Sequence, residues 1–254
     1  NAYLNFSKSW GGHNFTAVAG GQFQDYRKST LTVRQKGSVS DKLAFINMEQ
    51  GTIEKCFESN TSYRTLGFFA RANYDYAGKY LFEVSGRYDG SSRFARSHRW
   101  AFYPSASAGW RMSEENFWSG IRNWWSNAKL RFSYGSLGNQ QVSNYSYIST
   151  ISTGQMNYTF DGSTKAGYVT TPSAIADNLT WETVVTYNLG LDMGFFDNRL
   201  NLNADFYIRD TKDMLTSSKV LPAVFGEDSP RVNGADLRTK GYEITLSWKD
   251  SRRV

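Results

Sequence analysis

Hydrophobic and polar residues alternate with a period of two along much of this chain. The pattern is clearest between Leu66 and Arg111, where aromatic or small apolar residues fill every second position. Because successive side chains of a strand point to opposite faces, this period predicts strands with one apolar and one polar face. Three runs carry the pattern, 64–76, 79–90 and 97–111, and each is longer than the usual five or six residues of a soluble strand.

The same alternation predicts about nine strands, joined by connections that are short and long in turn. Besides the three above, strands are predicted at 3–10, 15–23, 129–138, 181–196, 200–209 and 241–249. Short turns are predicted at 11–14, 77–79, 112–127 and 196–198, and long or polar loops at 27–62, 90–97, 139–180 and 217–239. This rhythm is typical of outer-membrane barrels, which have short periplasmic turns and long extracellular loops.

The fold class predicted is all-β, an antiparallel transmembrane β-barrel. Strands of about 9–11 residues with one apolar face suit a barrel wall between lipid and a watery lumen. A soluble β-sandwich or carbohydrate-binding module is the alternative, since a sandwich core would also alternate. Strand length and the turn rhythm favour the barrel, because sandwich strands are shorter.

Two connections are predicted to hold local structure. The loop 27–62 carries a weakly amphipathic stretch that predicts a short helix near Ala44–Met48. The segment 112–127 predicts either a helical turn with Ser113 as its N-cap or a structured turn, and the pattern does not decide between them.

The composition favours a β-protein and gives no indication that it binds nucleic acid. The chain has 254 residues, 16% of them aromatic, with 22 Gly and only 4 Pro. No run of about 18 apolar residues predicts a transmembrane helix. The formal net charge is +6, but no Lys/Arg cluster dominates. We therefore expect a solvated lumen and loop surface, with contact to anionic lipid headgroups or acidic ligands as the alternative.

The residue inventory predicts no enzyme, no metal site and no cofactor. Cys56 is the single cysteine, and His13 and His98 are the two histidines. One histidine falls in a predicted short turn and the other lies beside the predicted loop 90–97, so they should lie far apart. Together the three residues form no zinc-ligand set of plausible spacing and no catalytic triad.

Polar residues where strands meet long loops are the candidate ligand-binding residues. Arg87, Asp89 and Arg93 lie at the end of one predicted strand and in its loop, and Asn139 and Gln140 follow another. Loops commonly carry binding, and amide side chains can pair with sugar hydroxyls. The alternative is structural: the DGSS sequence is turn chemistry, Arg87 can pair with Asp89, and the amides can bond the barrel rim.

Four tryptophans concentrate near the predicted short turns: Trp110, Trp118, Trp124 and Trp125. Indole rings prefer the headgroup level of a membrane, which predicts an interfacial aromatic girdle. Stacking on a sugar is the other interpretation.

Several stretches resemble one family. They are NYDYAGKYLFEVSGRYDGSSRF (73–94), RWAFYPSASAGWRMSEENF (99–117), KLRFSYGSLGN (129–139) and WETVVTYNLGLDMGFFDNRL (181–200). Their order and spacing are similar to those of SusC/RagA-type TonB-linked outer-membrane proteins of Bacteroidetes. The resemblance implies a plugged barrel of about 22 strands. It also implies import of an oligosaccharide or peptide, energy from TonB–ExbB–ExbD through a plug domain, and a SusD-like surface lipoprotein as partner.

Residues 1–254 are then expected to be a mid-barrel portion of such a transporter in the outer membrane, without the plug domain or the barrel C-terminus. An odd count of about nine strands favours this interpretation, because single-chain bacterial barrels have even counts. A barrel that acts as a surface receptor or adhesin without active transport is the alternative function.

Overall fold

The computed structural model describes residues 1–36, 52–160, 162–176, 178–222, 224, 226 and 229–250. Strands dominate these residues, and none of their helices is long and apolar enough to cross a membrane. The strands are β1 (Ala2–Trp10), β2 (His13–Gln35), β3 (Ile53–Tyr76), β4 (Tyr80–Ser91), β5 (Trp100–Arg111), β6 (Trp125–Asn139), β7 (Thr153–Thr159), β8 (Lys165–Val169), β9 (Glu182–Phe195), β10 (Leu200–Ser217) and β11 (Arg231–Trp248). Short 3-10 helices lie at Arg96–His98, Met112–Glu114 and Asn116–Trp118.

Nine of these strands form one antiparallel sheet, as the alternation predicts. Their order is β1-β2-β3-β4-β5-β6-β9-β10-β11, so each pairs with the strand before and after it along the sequence except where the β7–β8 hairpin intervenes. Within the described residues β1 and β11 are the two edges, and the sheet is open.

The register keeps apolar and polar residues on separate faces across the whole sheet. Ala72 lies opposite Val84, Val84 opposite Ala106, and Ala106 opposite Tyr134. A one-residue slip would send each of these side chains to the other face. Large apolar side chains of this face stay exposed, for example Phe102 at 62% and Tyr242 at 80%. Exposure of this extent is typical of a surface that contacts lipid or protein.

Tight turns join the strands at one end of the sheet, which we call the short-turn end. Gly11 and Gly12 have φ of 52° and 86°, and Ala77 has φ of 52°. Asp197 and Asn198 have φ of 56° and 60°, in the left-handed region that Asn, Asp and Gly adopt most readily. The opposite end carries the connections 92–99, 140–181 and 218–230, and is called the long-loop end.

The prediction of a loop at 27–62 is wrong for most of these residues. Residues 27–35 belong to β2 and 53–62 to β3, and they continue the ladder from Tyr26–Tyr63 to Val33–Cys56. The alternation is weak here because only Leu31 and Val33 of β2 are apolar on that face, whereas cross-strand pairing continues without a continuous apolar face to bury. The predicted helix near Ala44–Met48 lies outside the described residues.

The predicted loop 139–180 holds strands of its own, and the predicted loop 217–239 is shorter than expected. The segment 139–180 contains the β7–β8 hairpin, and β11 begins at Arg231, inside the predicted loop 217–239. The segment 112–127 is a structured turn with two 3-10 helices, and Ser113 is no N-cap. Its buried hydroxyl instead donates to Asn127 Oδ1 at 3.4 Å.

Candidate functional site: a polar recess at the long-loop end

A recess of about 550 Å³ opens on the polar face of the sheet at the long-loop end. Five neighbouring strands, β2 to β6, contribute to its walls, together with the start and end of the connection 140–181. The residues around it include Gln22, Gln24, Thr65, Phe69, Arg87, Asp89, Tyr103, Gln140 and Trp181. The lining therefore mixes amide, hydroxyl and charged groups with aromatic rings.

Arg87 and Asp89 form the charged part of this wall. They lie two residues apart on β4 and so point to the same face. Arg87 donates from Nε to Asp89 Oδ2 at 3.0 Å and from Nη2 to Oδ1 at 2.9 Å. An ideal Cβ at Gly67, opposite on β3, would overlap Asp89 Oδ1, so glycine leaves the space that this carboxylate occupies. The pair presents donors and acceptors side by side to the recess. The two side chains also satisfy part of each other's hydrogen-bonding capacity.

Arg93 and Asn139 do not line the recess but bond to the start of the connection 140–181, which borders it. Arg93 donates from Nη1 to the backbone oxygen of Gln140 at 3.0 Å, and its guanidinium lies 4.0 Å from the centre of the Tyr63 ring. Asn139 donates to Glu182 Oε1 at 3.4 Å and accepts from the backbone N–H of Gln141 at 3.0 Å. Of the predicted ligand-binding residues, Arg87, Asp89 and Gln140 line the recess, whereas Arg93 and Asn139 hold its rim.

A small hydrophobic cluster forms the base of the recess. It contains Phe94, Tyr103, Val142, Leu179 and Trp181, each at most 6% exposed. The rings of Phe94 and Trp181 have centroids 5.1 Å apart, and Trp181 Nε1 donates to the backbone oxygen of Arg99 at 3.0 Å. Buried aromatic rings of this kind tie the connections 92–99 and 140–181 to β5, so the recess has a rigid base.

Several lining residues escaped the sequence prediction, which singled out only residues next to loops. Gln22 and Gln24 alternate with apolar residues on β2, a pattern that marks them as polar-face residues. Tyr103 and Trp181 carry no local signal. Tyr103 reaches the recess because β5 pairs with β4, where it lies opposite Arg87. Trp181 lies outside the strands and reaches the recess because its ring packs against Phe94 and Tyr103.

The tryptophans at the short-turn end lie in two different environments, one exposed and one buried. Trp124 is 50% exposed, which agrees with a place in an interfacial girdle. Trp118 is only 7% exposed, lies against Trp125 with ring centroids 4.7 Å apart, and donates from Nε1 to the Trp125 backbone oxygen at 3.0 Å. Trp118 therefore packs the turn itself and is not part of a lipid-facing girdle.

Glu115 fastens this turn to the neighbouring strands. It accepts from the Tyr80 hydroxyl at 2.6 Å, from Trp110 Nε1 at 3.2 Å and from Lys79 Nζ at 3.1 Å. The Tyr80 hydrogen bond, followed by those from Trp110 and Lys79, lowers the pKa of the Glu115 carboxyl below its ordinary value of 4.5. The contact belongs to the short-turn end and lies apart from the recess.

The histidines lie at opposite ends of the sheet, as predicted. His13 begins β2 at the short-turn end, where its Nδ1 lies 2.7 Å from the Tyr74 hydroxyl. His98 lies in the connection 92–99 at the long-loop end, with Nδ1 2.9 Å from Ser97 Oγ. In the described part of the chain no three His, Cys, Asp or Glu side chains lie close enough together to hold a metal ion.

Comparison with known proteins places this sheet in a family. The family model described as "TonB dependent receptor-like, beta-barrel" matches residues 1–252. The chain belongs to the TonB-dependent receptor β-barrel family. The predicted barrel fold, the outer-membrane location and the SusC/RagA resemblance are thereby confirmed.

Among its relatives, the chain is 34% identical over 252 residues to TonB-dependent receptor P3 of Formosa agariphila. It is 31% identical over 258 residues to TonB-dependent receptor SusC of Bacteroides thetaiotaomicron. Each alignment covers 98% of this chain and 24% of the relative. The chain therefore spans about a quarter of the length of these receptors. The RagAB peptide importer in its closed-closed state superposes with a TM-score of 0.82 at 28% identity, over 99% of this chain and 27% of that one.

Proposed function

We propose that this chain is barrel wall of a TonB-dependent importer that brings a nutrient oligomer, an oligosaccharide or a peptide, across the outer membrane. The observation that carries the proposal is the recess on the polar face, at the end of the sheet that bears the long loops. In barrels of this kind the long loops face outward. A ligand arriving from outside would meet Arg87, Asp89 and Gln140 before it met the lower lumen.

The chemistry of the recess suits a polar oligomer. The Arg87–Asp89 pair offers donors and acceptors within one small area, and Gln22, Gln24 and Gln140 add amide groups that can both donate and accept. Ligand sites typically combine apolar walls with a few such polar groups, and Phe69 and Tyr103 supply the walls here. Both sugar hydroxyls and peptide amides match these groups, so the proposal covers both classes.

The family supports two further parts of the proposal. We infer that uptake is driven by TonB–ExbB–ExbD through a plug domain, since the matched family is that of TonB-dependent receptors. We also infer a SusD-like surface lipoprotein as partner at the long-loop end, on the basis of the similarity to SusC and to the RagAB importer.

Uptake by the organism that carries the gene tests the function. The gene would be deleted, and accumulation of fluorescent oligosaccharide and peptide pools inside the cells would be compared with that of the parent strain. Loss of accumulation for one pool, restored by the complete gene, supports import and names the ligand class. A strain without TonB should lose the same uptake.

The outcome separates import from a receptor or adhesin role. If the deletion strain accumulates both pools as the parent does but binds less of either to its surface, the chain serves in adhesion and the import proposal fails. Binding that persists without TonB while accumulation stops would support import, because energy is needed only for the passage.

A further inference from the structure

The apolar face of β2 and β3 changes to charge directly beyond the rung at which its continuous apolar belt ends. Phe23 lies opposite Leu66 in that rung, and Asp25 lies opposite Arg64 in the next rung of the same face. Arg27 follows two residues later on β2 and therefore shares this face. Since a strand rises about 3.3 Å per residue, the two arginines lie roughly 7 to 13 Å beyond the apolar belt.

Two guanidinium groups share one carboxylate at this level. Arg27 Nη2 lies 3.1 Å and Arg64 Nε 3.4 Å from the same oxygen, Oδ2 of Asp25. The Arg27 and Arg64 side chains are 74% and 62% exposed, whereas that of Asp25 is 27% exposed. These three side chains together carry a net charge of +1, and within the described residues the other N–H groups of the two guanidiniums have no further partner. Planar guanidinium forks of this kind match the oxygens of a phosphate group.

The next carboxylate on this face does not neutralise the cluster. Glu58 lies about 20 Å along β3 from Arg64 and about 13 Å from the level of Arg27, which pairs with Ser62. It accepts from Ser29 Oγ at 2.7 Å and from Asn60 Nδ2 at 3.3 Å, so it is already satisfied by neutral groups.

Below the arginines the same face holds a shallow apolar groove of about 600 Å³. Small side chains form its floor, and larger apolar ones from β1 and β5 form its sides. The floor is Ala17, Ala19, Ala70 and Ala72, with Phe6 on one side and Phe102 on the other. From the Ala19–Ala70 rung to Arg64 the strand rises about 20 Å, a length suited to an extended acyl chain.

An aromatic group marks the level between groove and arginines. The Trp100 ring stacks on Tyr88 with centroids 4.9 Å apart and on Phe68 at 6.5 Å. Tryptophan and tyrosine prefer the headgroup level of a bilayer. Acyl chains therefore end near this level, and the arginines stand where the phosphates of a lipid lie.

We propose that this wall is a specific site for an anionic, phosphate-bearing lipid of the leaflet at the long-loop end. Arg27 and Arg64 hold the phosphate, and the alanine groove holds an acyl chain. Asp25 orients both guanidinium groups and moderates their charge. The proposal depends on the lipid-facing side of the barrel and not on the imported ligand, so the proposed import function can fail without affecting it.

The test measures lipid bound to the complete receptor, purified in detergent and titrated with bis-phosphorylated lipid A, by native mass spectrometry. Lipid A with its phosphates removed is the comparison ligand. We expect the phosphorylated form to bind more tightly, and Arg27→Gln and Arg64→Gln each to weaken its binding about fivefold. Ala70→Leu, which fills the groove, should weaken both forms. Asp25→Asn should strengthen binding of the phosphorylated form, an effect that a misfolded variant could not produce.

Arg34→Gln is the matched control, because Arg34 is an exposed arginine of the same hairpin on the opposite face and pairs with Glu54. Equal binding of the two lipid forms, or equal loss in Arg34→Gln and Arg64→Gln, would overturn the proposal. Displacement of the lipid by millimolar inorganic phosphate would also overturn it, because the arginines would then serve a free anion. Heat-dependent migration in electrophoresis checks that each variant remains a folded barrel.

Discussion

Arg131 on β6 donates two parallel hydrogen bonds to Asp192 on β9, from Nε to Oδ2 and from Nη2 to Oδ1, each 2.8 Å long. The same Nη2 lies 3.1 Å from both oxygens of Asp205 on β10. One guanidinium thus bridges three strands on the polar face. Gly190 makes this approach feasible, because an ideal Cβ there would lie 2.6 Å from Asp205 Oδ1 and 2.7 Å from the Arg131 guanidinium.

Replacing Arg131 by Gln should destabilise the barrel by about 2 kcal/mol, because two partly buried carboxylates would then face each other without a cation. Urea unfolding monitored by tryptophan fluorescence measures the change in the free energy of unfolding. The variant that also carries Asp192→Asn and Asp205→Asn should recover most of the stability. A stability of Arg131→Gln equal to that of the parent would contradict the bridge.

A second prediction concerns close packing at the base of the recess. An ideal Cβ at Gly138 would overlap the ring and hydroxyl of Tyr103, which is 5% exposed and held by Trp181. Gly138→Ala should therefore cost about 1–3 kcal/mol through overpacking. The same substitution in a Tyr103→Ala background should cost much less, and a double-mutant cycle of unfolding free energies measures the coupling. Additive effects of the two substitutions would show that the residues do not compete for the space.

The strands and turns of this sheet can be predicted from local sequence where one face contacts lipid, because apolar and polar residues then alternate. Asp197 and Asn198 predict a tight turn because they tolerate positive φ, and the structure has them there. The stretch from Arg27 to Gln35 gives no such signal. Beyond the apolar belt, Leu31 and Val33 alone alternate with polar neighbours on β2, and this run is too short to predict a strand that pairs with 53–62.

The recess is harder to predict because it is assembled by register. Arg87 and Asp89 were identified from their position before a loop, and Gln140 from its position after a strand. Tyr103 joins them only because β5 pairs with β4, and Trp181 because its ring packs on Phe94 in another connection. No spacing along the chain encodes these neighbours.

A pH dependence is expected at the short-turn end. The pKa of Glu115 is lowered by its hydrogen bonds from Tyr80, Trp110 and Lys79. A carboxyl with a lowered folded-state pKa stabilises the fold fully above its ordinary value of 4.5, and this contribution is lost as the pH falls through the lowered folded pKa. The unfolding temperature of the parent should thus fall as the pH is lowered from above 4.5 through the lowered pKa of Glu115.

Glu115→Gln removes the titrating group and serves as the comparison. Its unfolding temperature should be lower than that of the parent at neutral pH, and the two should converge at acid pH. Glu114→Gln is a suitable control, because Glu114 lies in the same turn and pairs with Arg122, with both side chains well exposed. A difference between Glu115→Gln and the parent that stays constant with pH would mean that the ionised carboxylate does not hold the turn.

The two interpretations of Arg87 and Asp89, ligand contact and structural cap, predict different results when the charges are exchanged. A single Asp89→Asn or Arg87→Gln substitution breaks the pair under either interpretation and should cost about 0.5–1 kcal/mol of stability, since the Arg87 side chain is 46% exposed. The exchange of both residues, Arg87→Asp with Asp89→Arg, restores an ion pair and should restore most of that stability. If the pair contacts the imported oligomer, uptake in the complemented deletion strain should stay low despite the restored fold, because donor and acceptor have traded places. Recovery of uptake together with stability would assign the pair a structural role alone.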